Sequence, residues 1–536
     1  MPDSGRQGMQ LLQGFAPTEY GYSGVGDLYK LIDAPSPLVG TPQTFLRSSS
    51  PTGGQAFLGT TGSGTDSHIY VLDGVWPAGA WTDRLVAGAA DAEWFFVQFG
   101  DNTLAAGGTG IRLKVHTPAV PGFTNVASNV SPKFACIFGD RAFVANLSWN
   151  IAGITTTATT GTEADYIFAS NHNDVGTFGD PSSTAGLGAM IFILRDEYGP
   201  ITGLAATQSY ILVCKERALI IGRRTTTYDI DWNYLGPRFG CNMPRSIVVD
   251  GEDVYLWSTS GPICVVGGRE IKQIGLGRVS NSLISPFSDL GTRLRLGVTA
   301  TGGSTYYPIY GTQDVVSGIV NWHFSPGTDT LGVASMELDT MIHFDPNTDK
   351  LSHTYCDTAV ILNGAVTDLD YKAAASARVV PTNLDGMSPI GNIVFVRSNG
   401  QVWSHKQKSG VIAGTTQALT EDPFFRTPWF AGDDGGNFRI AGVYFEFQSY
   451  ADFGVVSVTI DGIADRGSGT SSTWGPFTGV DLQGRIDTSN SPEWQMARIT
   501  VTFGKTTTTV KNGAQNVRNI SLFEVAIEPT TNQGAF

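Results

Sequence analysis

Three short stretches of this chain repeat one design. Residues 93–108 (EWFFVQFGDNTLAAGG), 132–148 (PKFACIFGDRAFVANLS) and 246–259 (SIVVDGEDVYLWST) each read as an apolar strand, a tight turn centred on Gly100, Gly139 or Gly251 beside an acidic residue, and a second apolar strand. That is the signature of a β-hairpin. Residues 209–222 (SYILVCKERALIIG) keep the same rhythm, with the turn at Lys215 to Arg217. Hairpins that recur about 40 residues apart mark propeller blades or stacked repeats, so the recurrence sets the fold class as all-β before any question of function.

The rest of the chain agrees. Its 66 glycines and 26 prolines among 536 residues suit many short strands joined by turns, and the 41% hydrophobic fraction excludes disorder. A chain this long exceeds what one core fills, which calls for several domains or one array. Residues 1–60 carry Gly, Pro and Ser clusters at 35–42 and 48–54 and are expected to form an extended arm or docking segment. Residues 61–412 are expected to form a β-propeller, with an insertion near 148–200 where polar runs interrupt the rhythm. The segment 246–276 holds the four successive strands of a whole blade, and 306–311, 341–353 and 393–406 look like further hairpins. Together these predict six to eight blades. From 413 to 536 several stretches alternate apolar and polar at period two, which predicts a C-terminal antiparallel β-sandwich.

Candidate chemistry is sparse. Asp345, Asn347 and Asp349 have the opening spacing of a calcium loop, but Lys350 stands where that loop needs glycine and Cys356 where it needs a closing glutamate, so a polar hairpin turn is the better reading. Ser398 to Trp403 resembles the second half of a sialidase Asp box with serine in place of the aspartate. Asp229 and Asp231, between Tyr228 and Trp232, would share one face of a strand, which a solvated edge explains without catalysis. The seven histidines (His68, His116, His172, His323, His343, His353, His405) show no metal-ligand spacing, and Gly107 to Gly110 reads only as a turn. Five cysteines, Cys136, Cys214, Cys241, Cys264 and Cys356, are odd in number and widely spread, which favours reduced, buried thiols. No catalytic, cofactor-binding or metal-binding residue is expected, and the chain is not expected to be an enzyme.

No apolar run is long enough for a membrane span, and residues 1–8 lack a signal peptide's apolar stretch, so folding in a cytoplasm is expected. The formal charge of −14, from 34 basic against 48 acidic residues, disfavours static binding to nucleic acid, whose affinity comes from neutralising phosphates. It does not prevent a duplex from sliding past.

The order of the hairpins carries a resemblance. A strand with QFGD, a strand turning at Gly139-Asp140, the stretch from Ala164, the hairpin at 209–222, and then Gly240, Cys241, Pro244, Arg245, Ser246, Ile247 and Val248 leading into YLWS and Gly261 look like the β-propeller tail nozzle, or tube, proteins of short-tailed bacteriophages. The match covers about 90–285, and Arg426-TPWFAGDDGG resembles the domain that commonly follows the propeller. The resemblance implies a structural virion component: a ring of six copies below the portal and head-to-tail adaptor, which prolongs the channel for genome ejection. It further implies anchoring of tail fibres or spikes, transient passage of double-stranded DNA without sequence-specific binding, and assembly in the host bacterial cytoplasm. The alternatives are a propeller glycosidase or a glycan-depolymerising or receptor-binding tail protein, which would cluster carboxylates in the central cavity, and a sugar-binding module of the bacterial surface.

Overall fold

The computed structural model describes the chain between residues 11 and 529 apart from interposed stretches, the longest being 151–159, 179–187, 276–298, 325–339, 356–372, 379–392, 405–415 and 504–519. Among the described residues there is no α-helix, only a 3-10 turn at Pro244–Ser246, and no helix long and apolar enough to cross a membrane.

Seven antiparallel meanders follow one another. The first blade runs from Thr41–Arg47 to Ala78–Ala87, the second from Phe95–Phe99 to Val120–Asn125, and the third from Val130–Phe138 to Met190–Ile193. The fourth runs from Ile201–Ala206 to Asp229–Gly236, the fifth from Val248–Asp250 to Glu270–Gln273, and the sixth from Ile309–Gln313 to Lys350–Tyr355. The seventh takes three strands, Ala373–Arg378, Ile393–Arg397 and Val402–Ser404, from late in the chain. Its next strand is Leu28–Ile32, with Ile32 opposite Val402 and Tyr29 opposite Ser404. First strands of successive blades touch around a circle, the 3-10 turn bridging the fourth and sixth blades, and the seventh blade's first strand returns to the first blade's. Among the described residues these seven sheets form a β-propeller closed by the N-terminal region.

Burial follows position within a blade. First strands alternate, as in Ile201–Ala206, whereas second strands such as Ile211–Lys215 are buried throughout because neighbouring blades cover both faces. Outermost strands turn to water: in Asp229–Gly236 only Ile230 and Gly236 are buried. Large aromatics fill the seams, and Trp257 of the fifth blade meets Trp322 of the sixth edge to face at 6.2 Å.

The repeated glycine turns have one geometry. In each, two residues join the strands: Phe99 pairs with Asn102, Phe138 with Arg141, and Asp250 with Asp253. The glycine has φ of +57° (Gly100), +62° (Gly139) or +59° (Gly251), and the acidic residue after it has no positive φ. A positive φ confined to the first central position defines a type II′ turn, which demands glycine there and whose twist suits paired strands. These three hairpins are the first and second strands of the second, third and fifth blades. The hairpin at 209–222 is the second and third strands of the fourth blade, so the four copies are not in one phase.

Downstream, the strands fall into two further sheets. One contains Phe424–Arg426, Met496–Phe503, Val456–Ile463 and Ser472–Thr478; the other pairs Phe438–Phe447 with Ile520–Pro529 and Arg485–Asp487. The segment expected as an extended arm or docking segment is paired into sheets along its described length, and its residues from 41 on belong to the first blade. Leu11–Gln13 lies between the last strand of the sixth blade and Phe424–Arg426, and Phe15–Thr18 with Gly21–Gly24 extends the second of these sheets. Leu28–Ile32 closes the propeller and Thr41–Arg47 starts it. Short strands broken by Gly and Pro look like a loose segment when their partners are distant in sequence. The expected insertion near 148–200 likewise contains Thr160–Ala169 and Met190–Ile193, the outer strands of the third blade, and the hairpins expected at 306–311 and 341–353 share the sixth blade.

A chain beginning at residue 34 is expected to leave the seventh blade unclosed. Limited trypsin digestion should cut that blade in the shortened chain under conditions in which the full chain resists. Equal resistance of the two would overturn the closing role of Leu28–Ile32.

Candidate functional site

The connector from the fourth blade to the fifth, which carries the Gly240 to Val248 motif, runs into the middle of the ring. A Cβ on Gly240 would lie 1.7 Å from the Glu216 carbonyl oxygen, so only glycine passes. Six residues on, Ser246 is used twice: its hydroxyl donates to the Met243 carbonyl at 2.7 Å and accepts the Trp257 amide at 3.0 Å. Its carbonyl accepts Trp322 Nε1 of the sixth blade at 2.9 Å.

Between them Arg245, 8% exposed, reaches across the axis. Its Nη1 donates to the Gln43 carbonyl of the first blade at 2.7 Å, and its Nη2 donates to the Trp94 carbonyl before the second blade at 2.9 Å. The guanidinium lies 4.4 Å from the ring centre of Phe95 and 5.3 Å from that of Tyr310, both on first strands. The Tyr310 hydroxyl also donates to the Gln43 carbonyl, at 2.8 Å. A planar fork of donors with two flat faces is what guanidinium offers and ammonium does not. One side chain thus ties the connector into the fifth blade to the first, second and sixth blades.

Two other clusters bear titratable groups. At the third blade's glycine turn, Asp140 accepts from His172 Nδ1 and from Arg224 of the fourth blade, the latter at 2.9 Å. Arg141 Nη2 lies 2.6 Å from His172 Nε2. Guanidinium only donates, so Nε2 accepts and the ring proton sits on Nδ1. The nitrogen that a general base would turn toward a nucleophile is therefore occupied. Burial would raise the Asp140 pKa, but the bonds from His172 and Arg224 outweigh it and bring the carboxyl down to about 2. In the second cluster Lys215, fully buried, donates to the Leu194 carbonyl at 2.6 Å and to Asp196 at 2.7 Å, and pairs with Asp165 at 3.3 Å. An amine engaged by three acceptors is a strut between blades, not a nucleophile.

The residues weighed from sequence are scattered. Asp345 ends one strand and Lys350 begins the next; between them the Asp345 carboxylate accepts the Asn347 amide at 2.9 Å and the Thr348 hydroxyl at 2.5 Å, and Asp349 has φ +52°. That is a turn whose carboxylate serves the turn itself. Asp229 and Asp231 are exposed on the fourth blade's outermost strand, while Ile230 is buried. Trp403 is fully buried in the seventh blade; Ser398, Tyr228, Cys356 and His405 lie outside the described residues. His68 pairs with Asp83 at 2.7 Å on the first blade, and His323 and His343 are buried in the sixth. His116 packs against Phe57 and Phe123, and burial, with Arg84 nearby, lowers its pKa despite Asp73. Gly108 and Gly110 have φ of +98° and +90° in a turn where the Ile111 amide donates to the Gly108 carbonyl. Cys136, Cys214, Cys241 and Cys264 are free thiols, all buried. Among the described residues no three His, Cys, Asp or Glu side chains are grouped to hold a metal. Reasoning from sequence missed the pairing of Asp140 with His172 and the span of Arg245, whose only signal was the Pro-Arg-Ser run.

No family model matches this chain, and no curated protein does. Among solved structures it is similar to the N-terminal domain of Nup159 at 10% identity and a TM-score of 0.36, over 74% of this chain and 99% of that one. It is also similar to a fungal alcohol oxidase in complex with copper (10% identity, TM-score 0.39, 88% of this chain and 94% of that one). YCF48 bound to D1 peptide is a third such structure (9% identity, TM-score 0.36, 73% and 98%). At these scores the likenesses say nothing of activity, and the propeller assignment rests on the order of the sheets.

Replacing Arg245 by alanine is expected to lower stability by about 3 kcal/mol, because two buried carbonyls lose charged donors. Lysine should recover less than half of this in denaturant titrations, since it lacks the fork. Full recovery by lysine would show that charge alone matters.

Two pH dependences follow. The Asp140 carboxyl is held below its unfolded value, so its stabilisation is present above about pH 4 and lost as pH falls toward 2. The stability difference between the native chain and Asp140→Asn should shrink over that window. His116 is also lowered, so the unfolded chain takes up its proton first and stability should fall as pH drops below about 6.5. His116→Phe should flatten that part of the curve.

Proposed function

We propose that this chain is a structural subunit of the tail nozzle of a short-tailed bacteriophage. It forms a ring of six copies below the portal and adaptor, acts as part of the channel for genome ejection, and carries fibres or spikes. The observation that carries the reading is the run from Gly240 to Val248, which resembles the family's most specific segment and serves as the hub of the propeller. Its residues hold blades together, and all but the half-buried Ile247 are buried. A propeller needed for shape would spend its most distinctive motif in that way.

The hub bears on the path of DNA. With Arg245 packed between Phe95 and Tyr310, first strands of separate blades are drawn together, and the duplex would pass through the lumen that neighbouring subunits enclose. The net charge of −14 would keep phosphates from adhering to the wall of such a lumen. Rings with rotational symmetry need heterologous faces, which rigid β domains provide.

Electron microscopy of the purified chain at high concentration, alone and with a portal–adaptor complex, is expected to show sixfold rings that stack on the adaptor. A monodisperse monomer that cleaves bacterial surface glycans would sink the proposal.

A further inference from the structure

Two of the described cysteines meet. Cys214 lies on the fourth blade's second strand, opposite Gly203 on one side and Leu219 on the other. Cys241 lies in the connector that leaves that blade. The Cys241 amide donates to the Lys215 carbonyl at 3.0 Å, and Thr202 Oγ1 donates to the Cys241 carbonyl at 2.6 Å. With Gly240 pressed on the Glu216 carbonyl, the two backbones run side by side. Both thiols are buried in one apolar cluster with Met243, near enough for each to perturb the other. Cys136 lies in a different cluster, and Cys264 lies against Tyr255 in the fifth blade.

The contact is asymmetric. The neighbouring Cys214, aided by the Met243 amide, outweighs burial and lowers the Cys241 thiol, whereas the same contact and burial raise Cys214. Cys241 is thus the sulfur on which thiolate forms more readily, and thiolate is the nucleophile in thiol oxidation.

We propose that Cys214 and Cys241 form a peroxide-sensitive dithiol that closes into an intrachain disulfide and locks the connector bearing Arg245 to the fourth blade. The Cys241 thiolate attacks one oxygen of hydrogen peroxide; the O–O bond breaks, giving the Cys241 sulfenic acid and hydroxide, which takes a proton to become water. The Cys214 sulfur then attacks the sulfenic sulfur, forming the S–S bond. The departing hydroxide takes the Cys214 proton and leaves as water. In sum two thiols lose two electrons and two hydrogens, and the peroxide is reduced to two waters. Hydrogen peroxide is small enough to enter a sealed core through local opening, where a bulky disulfide reagent is not.

The test uses the full chain. Treated with hydrogen peroxide, quenched with catalase, denatured in iodoacetamide and digested without reduction, it is expected to give a linked peptide pair containing Cys214 and Cys241. Cys136 and Cys264 should be alkylated as in untreated protein, and the Tm should rise by roughly 3 °C and fall back on reduction. Cys214 and Cys241 both alkylated, or both carrying sulfinic acid without a link, would overturn the proposal. In Cys241→Ser the remaining Cys214 should stay alkylatable after peroxide; its oxidation there would overturn the assignment of Cys241 as the attacking sulfur. The mapping of the native chain decides the matter even if that variant does not fold.

Discussion

Everything in this propeller depends on closing a circle of sheets with a strand from the far end of the chain. A blade exposes both faces of its buried strands until a neighbour covers them, so an open array would leave the first and seventh blades each with a bare apolar side. Pairing Leu28–Ile32 with Val402–Ser404 removes that bare seam. The entropy of closing so long a loop grows only with the logarithm of its length, about 2 kcal/mol more than closing one blade. The seam it seals holds fully buried side chains such as Val402 and Trp403, each of which contributes a comparable or larger amount.

The hub completes what closure begins. Where the first strands converge, an apolar side chain in place of Arg245 would strand the Trp94 carbonyl and leave that of Gln43 with the Tyr310 hydroxyl alone. Arg245 satisfies both and stacks on two rings, so the polar and apolar demands of the centre are met by one residue. The connector that carries it is fixed by Gly240, by the Cys241 amide and by Ser246, which converts a loop between blades into a rigid spoke.

Much of this was legible in the residues and some was not. The fifth blade stands out because its strands are short, apolar and separated by turns, so 246–276 divides into Val248–Asp250, Asp253–Ser258, Gly261–Val266 and Glu270–Gln273. The third blade was obscured because its last two strands are interrupted by polar runs, which local pattern reads as insertion. The phase of the hairpin at 209–222 was ambiguous, since any two adjacent strands of a meander look alike when both are buried. For the candidate site, the weakness of Asp345 to Lys350 as a calcium loop was visible in its spacing, while the span of Arg245 was not, because its partners lie on strands far away in sequence.

The sequence by itself determined the all-β class, the places where chains of L residues need glycine to turn back, and the two-residue alternation of the C-terminal strands, since each follows from backbone geometry over a few residues. Only the tertiary structure decided the number of blades, the partner of the N-terminal strands, and the role of the Gly240 to Val248 motif. Those depend on which distant surfaces cover one another, and local propensity carries no information about a partner hundreds of residues away.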